Sequence, residues 1–158
     1  MLRLPAFDPA TIEPRTTSAY PAPHDSVVRG RAKRPLTQAL GLTQFGVNVT
    51  ELAPGAASSQ RHWHSHEDEF VYVLEGEPTL VTNEGEQVLK PGQCAGFAAG
   101  AANGHQLVNR SSQIVRVIEV GTRDHRDEAN YPDVDLYCGP GRYTGKANFT
   151  KKDGSPLG

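Results

Sequence analysis

The stretch Gln60–Gly76, QRHWHSHEDEFVYVLEG, decides how the rest of the chain is read. His62, His64 and His66 alternate within it. On an extended strand, alternate side chains leave the same face. Two imidazoles at i and i+2 can therefore reach one ion from one strand. Glu69 follows, and then Phe70-Val71-Tyr72-Val73-Leu74, a β-branched and aromatic run that Gly76 closes. The stretch reads as half of a metal site inside a small β-barrel. A register built on His64 and His66 would leave no carboxylate at a matching distance. His66 is therefore placed at the pocket mouth, as a solvated or proton-carrying group. Glu67 and Asp68 are expected in solvent, with Asp68 the substitute ligand for a turn one residue tighter.

Further β signals flank this stretch. Phe45, Val47 and Val49 alternate with Gly46, Asn48 and Thr50, as in a half-buried strand. Pro54-Gly55 is a turn. Thr79–Thr82 and Gln87–Leu89 flank a hairpin loop, Asn83-Glu84-Gly85-Glu86. Gln93–Ala98 is a short strand, Ala99–Gly104 a small loop, and His105–Asn109 extended. Ile114–Val120 is the strongest strand by composition. Beyond Gly121 the pattern weakens: Arg123–Asn130 reads as a short helix or a loop, Tyr131–Leu136 as an edge strand, Lys151–Gly154 as a turn. Met1–Pro23 is a proline-rich, irregular arm. Arg29, Arg31, Lys33 and Arg34 read as a solvated loop face, the alternative being a contact for an acidic group of a partner or ligand. The fold class is all-β in a single domain, 1–158. It divides into an N-terminal arm and first strands (1–42), a barrel core (43–121) and a C-terminal extension (122–158).

Several function classes are excluded. With 16 basic and 18 acidic residues the formal net charge is −2. No cationic surface is expected for nucleic acid or an anionic membrane. No apolar run approaches the ~20 residues of a membrane span. The N-terminal stretch has no apolar signal core, so a cytoplasmic location is expected. Cys94 and Cys138 lie far apart and read as free thiols. There is no GxGxxG, P-loop or Ser/His/Asp pattern, which argues against a nicotinamide cofactor.

Two segments separated by a hairpin resemble the paired motifs of the cupin superfamily. The first is His62-x-His64, four residues, Glu69, six residues, Gly76. The second is Gly92, five residues, Ala98-x-Gly100, then His105, three residues, Asn109. The second departs from the family pattern by Ala98 in place of proline and by a longer loop before His105. The resemblance covers roughly Thr43–Gly121. The surrounding text is similar to single-domain bacterial cupins, some loosely labelled sugar-phosphate isomerases. It implies a jelly-roll, double-stranded β-barrel, with His62, His64, Glu69 and His105 as metal ligands. One divalent ion is expected, and imidazole with carboxylate suits Zn, Fe, Mn or Ni. Four protein ligands on an octahedral ion leave two sites for water or substrate. The resemblance also implies a homodimer.

Inward parity predicts a small-molecule pocket lined by Gln60, Val71, Val73, Phe97, Leu107 and Asn109. Trp63, Phe70 and Tyr72 have the opposite parity and are expected between sheets or at a dimer interface. Arg61, the one basic candidate beside the motif, is turned outward. Three functions remain open. The first is a metal-dependent isomerase-like enzyme on a sugar or sugar phosphate, with His66 or Glu69 as the acid–base group. The others are a metal-dependent dioxygenase or decarboxylase, and a non-catalytic small-ligand binding module.

Overall fold

The computed structural model describes residues 3–145 and 147–158. The arm carries two 3-10 turns, Pro9–Thr11 and His24–Val28, before β1 (Arg31–Pro35) and a one-turn helix, α1 (Leu36–Ala39). The remaining elements are strands: β2 (Phe45–Leu52), β3 (Trp63–His64), β4 (Glu69–Glu75), β5 (Thr79–Thr82), β6 (Gly85–Val88) and β7 (Cys94–Phe97). They continue with β8 (Gln106–Val108), β9 (Val115–Thr122), β10 (Ala129–Tyr131), β11 (Leu136–Cys138) and β12 (Phe149–Thr150). The fold is thus all-β with few helices. Among the described residues no helix is long and apolar enough to cross a membrane.

Three sheets form: β1-β2-β9-β4-β7, β12-β11-β10-β3 and β6-β5-β8. In the five-stranded sheet the register stacks residues into rows, and directly paired residues share a face. One row is Lys33–Thr50–Val117–Val73. The next is Asn48–Glu119–Val71–Ala95, and the next Gly46–Gly121–Glu69–Phe97. This inner face is apolar at one end, where Leu52, Val73, Val115 and Val117 pack with Leu80 and Leu107 of the facing sheet and with Leu89, just after β6. At the other end it turns polar, and there the site is built.

Four expectations are corrected here. Arg31 and Lys33 are not on a solvated loop but on β1, paired to β2 and half-buried. Glu67 is not in solvent: it is buried against Arg142 and Tyr143. Of the two places expected for Phe70 and Tyr72, packing between sheets is corrected: with Leu74 they stand 40, 38 and 41% exposed on the outer face of β4. Tyr131–Leu136 is not one edge strand but the turn of the β10–β11 hairpin, and β12 covers its outer side. Cys94 is exposed and Cys138 buried, both as free thiols.

Asn109 is fully buried. Its amide donates to the Leu52 carbonyl (2.8 Å) and the Gln113 carbonyl (2.7 Å), and its oxygen accepts from the Ser111 backbone N–H (3.0 Å) and hydroxyl (2.7 Å). One side chain thereby ties the β8–β9 connection to the end of β2. Asn109→Ala leaves carbonyls without donors in a dry interior. A loss of about 2 kcal/mol is expected, read as a lower urea midpoint at unchanged slope.

Candidate metal centre

His62 lies just before β3, and His105 just before β8. They form an isolated antiparallel bridge with reciprocal backbone hydrogen bonds, His62 N–H to the His105 carbonyl (3.1 Å) and His105 N–H to the His62 carbonyl (2.8 Å). That pairing sets the two imidazoles side by side, with ring centroids 4.8 Å apart. His64, two residues on, presents its ring 4.9 Å from His62. Glu69 reaches them from the opposite sheet. It occupies the first position of β4, in a row flanked on one side by Gly121 and Gly46, which carry no side chains to fill the space, and on the other by Phe97.

Glu69 is the common neighbour of the three imidazoles; His62, Glu69 and His105 form the tighter group, and His64 groups also with Glu67 and Asp127. Glu69 Oε2 lies 2.7 Å from His105 Nε2, 3.3 Å from His62 Nε2 and 3.5 Å from His64 Nε2. The outward nitrogens explain the aim. His62 Nδ1 donates to the Gln60 carbonyl (2.8 Å), with the Ser59 hydroxyl at 3.2 Å. His64 Nδ1 donates to Asp127 Oδ2 at 2.7 Å. With Nδ1 donating outward, Nε2 is the nitrogen that each ring turns toward Glu69, the arrangement a metal-ligating histidine needs. His105 is held by packing instead: its ring stacks on Phe97 at 3.5 Å and 3°, and its buried Nδ1 has no hydrogen-bond partner among the described residues.

Electrostatics follow from this crowding. Burial works to raise the Glu69 carboxyl, but the His62 charge and hydrogen bonds from His105 and His62 outweigh it, holding the group well below the usual carboxylate range. Burial works to lower His62, and Glu69 outweighs it, so His62 is raised. For His105 burial wins and the imidazole is lowered, towards the neutral form a metal requires. The donor set, three imidazole nitrogens and one carboxylate oxygen in a buried cleft, fits a divalent transition metal.

A second cluster, His64, Glu67 and Asp127, also brings ligand-type atoms together, all buried. Its carboxylates are already engaged by one cation and by neutral donors. The Arg142 guanidinium bonds Glu67 and lies 3.1 Å from Asp127 Oδ2, and the Tyr143 hydroxyl donates to Glu67 at 2.7 Å. These groups make a shell behind His64 rather than a second ion site.

The site opens on a cavity of about 380 Å³. Val71, Phe97 and Leu107 line it; Gln60, Val73 and Asn109 do not. Gln60 instead donates to the His24 carbonyl (2.8 Å), Val73 is sealed in the core, and Asn109 is the tie described above. His66 lies outside the lining as well. It is exposed, its ring nitrogen 2.8 Å from the Ser65 hydroxyl and its backbone N–H on Asp127 Oδ1 at 2.9 Å. Asp68 is exposed and accepts from the Ala99 N–H. Arg61 points outward and pairs with Asp133.

The sequence reading missed most polar wall residues: Tyr20, Arg31, Lys33, Glu119, Tyr131 and Arg142. One signal was available. Arg31 and Lys33 have the i, i+2 spacing of residues on one strand face; Lys33 pairs with Glu119 of the same chain at 2.7 Å, not with an acidic group of a partner or ligand.

The cupin domain family matches residues 48–121. The crystal structure of a sugar phosphate isomerase from a cupin superfamily, from Silicibacter pomeroyi, is 45% identical and covers 98% of this chain and 97% of its own, with a TM-score of 0.92. A protein of Acidithiobacillus ferrooxidans, provisionally named a sugar phosphate isomerase, is 27% identical over 80% of each chain, with a TM-score of 0.72. The polyketide cyclase RemF of Streptomyces resistomycificus, at 21% identity over 78% of this chain and 81% of its own and a TM-score of 0.63, shares the fold. No curated protein matches. With near-complete coverage at 45% identity, and with paired histidine motifs meeting at one carboxylate, the chain belongs to the cupin superfamily.

Proposed function

We propose that the chain binds one divalent metal ion through His62, His64, Glu69 and His105 and acts on a small oxygen-bearing metabolite, a sugar or sugar phosphate, in an isomerase-like reaction. The observation that carries this reading is the convergence of three Nε2 atoms on Glu69 Oε2 within 3.5 Å. The Silicibacter pomeroyi protein's name supplies the substrate class. A metal held there would polarise a substrate oxygen. The protein's own part is to orient the substrate in the cavity, exclude water and move a proton. In an aldose–ketose interconversion a proton leaves the carbon beside the carbonyl and a proton returns to the former carbonyl carbon, so no oxidant is consumed. Of the two acid–base candidates, Glu69 borders the cavity and His66 does not. The polar end of the five-stranded sheet supports the reading further: Glu119, held by Lys33 and by the Thr50 hydroxyl (2.8 Å), faces the same space. The sheets are proposed to close as a jelly-roll barrel, supported by the His62–His105 and Ala57–Val108 bridges.

The test is metal content of the purified protein by elemental analysis. About one ion per chain is expected, and close to none in the double variant His62→Ala, His64→Ala. Full occupancy in that variant would overturn the ligand set. His66→Ala is expected to retain the ion, since its ring faces solvent. Substrate-dependent oxygen uptake would replace the isomerase reading with a dioxygenase. A homodimer is also proposed, supported by the exposed Phe70, Tyr72 and Leu74 stripe on β4. Tyr72→Glu is expected to shift the mass seen by light scattering from dimer to monomer.

A further inference from the structure

The cationic groups around the cavity differ in how they are occupied. Lys33 is neutralised by Glu119 at 2.7 Å. Arg142 is committed to Glu67 and Asp127. Arg123 lies over Gly46 and the Tyr143 ring, 5.6 Å from its centroid, and donates to the Leu42 carbonyl at 3.4 Å. Arg31 stands apart. It lines the cavity, is half-buried, and among the described residues has no carboxylate within ion-pair distance. Its one hydrogen bond runs from Nη1 to the Ser58 carbonyl at 2.7 Å. A guanidinium carries five N–H donors, so most of its fork has no acceptor among the described residues.

The carboxylate that acts on Arg31 is Glu119, which lies beyond ion-pair distance of it and is itself held by Lys33 at 2.7 Å, so the half-buried guanidinium keeps charge for a further anion. Its position is also fixed. Arg31 is the first residue of β1, paired with Leu52, two residues before Lys33 on the same face. The hydroxyl-bearing residues Ser18, Tyr20 and Ser59 line the same cavity. A planar fork backed by hydroxyls suits a bidentate oxyanion.

We propose that Arg31 anchors an anionic group of the substrate, a phosphate monoester or a carboxylate, while the reacting oxygens face the His62–His64–Glu69–His105 cluster. This rests on the metal-site reading above for the reacting end, and on Arg31 alone for the anionic end. It names the substrate class: a small molecule with an oxyanion at one end and oxygens at the other.

The experiment is isothermal titration calorimetry at fixed ionic strength with two probes, inorganic phosphate and acetate. It uses the full chain as purified, Arg31→Gln, Arg31→Lys, and the double variant His62→Ala, His64→Ala, with metal content measured for each. In Arg31→Gln the dissociation constant of the preferred anion is expected to rise about tenfold or more. Metal content should be unchanged, and Arg31→Lys should recover part of the affinity. The double histidine variant is expected to lose metal and keep anion binding. Preference for phosphate identifies a phosphate monoester, and preference for acetate a carboxylate. Unchanged affinity in Arg31→Gln with metal in place overturns the anchor while leaving the metal reading intact. So does an absence of binding by the unmodified chain, or anion binding lost only in the histidine variant.

Discussion

Gly76→Ala is expected to destabilise the protein by about 2–5 kcal/mol, measured as a lower midpoint in urea unfolding. Two costs add. The residue sits at φ +77°, where a Cβ meets the following carbonyl oxygen. That Cβ would also lie 2.8 Å from the Ile114 carbonyl oxygen and 2.9 Å from Val115 Cγ2. Val115 is fully buried at the head of β9, so neither neighbour can move without disturbing the core. Gly55→Ala is the control. Its φ is +85°, yet nothing lies within 4 Å of the added methyl, so only the backbone cost of about 1–2 kcal/mol applies. Equal losses at both positions would mean that the close approach at Gly76 is not real. The consequence reaches the metal centre, because the turn at Gly76 ends the strand that Glu69 begins.

The strands around the site were legible because their signals are local. His62-x-His64 with Glu69 is short enough for period-two spacing to fix which side chains share a face. Phe45–Thr50 and Ile114–Val120 alternate or run apolar in the way buried strands do. His105 lies 36 residues beyond Glu69, so its hydrogen bond to that carboxylate could be anticipated only through the paired motifs. The errors came where the same residue type serves two ends. A buried asparagine that ties a turn and one that faces a ligand look alike in sequence, and Asn109 was assigned to the pocket. Parity failed at Gln60, because the segment before His62 bends rather than extends. Glu67 was placed in solvent because its partners, Arg142 and Tyr143, lie in a C-terminal stretch with no period to betray their arrival. Arg31 was misread because a basic cluster ending in Pro35 looks like a loop, until β2 is seen to offer it an edge.

Asp127 joins these late-arriving residues to the proposed metal centre, and its replacement is expected to have two separable effects. The side chain is completely buried. One oxygen takes the His64 Nδ1 proton at 2.7 Å and faces Arg142 at 3.1 Å; the other accepts the His66 backbone N–H at 2.9 Å. Burial works to raise its carboxyl, but the His64 hydrogen bond and the His66 N–H outweigh it, so the group is held below the usual carboxylate range and stays ionised at neutral pH. Asp127→Ala leaves the Arg142 charge with Glu67 alone and removes the acceptor that fixes the His64 tautomer. Breaking a buried charge network in this way costs about 3–5 kcal/mol, and losing the carboxylate behind a metal-ligating histidine costs about 10–100-fold in metal affinity. Asp127→Asn separates the two. Its Oδ1 can still accept one hydrogen bond, so the fold should lose less, but the amide can present N–H rather than oxygen to His64 or His66. Metal affinity, measured by competition with a chromophoric chelator, should fall in both variants, and urea stability mainly in Asp127→Ala. If Asp127→Asn binds metal as tightly as the unmodified chain, His64 is aimed by its strand alone and Asp127 serves only the fold. If both variants weaken metal binding while His66→Ala does not, the loop between β9 and β10 is part of the centre, though it lies outside both histidine motifs.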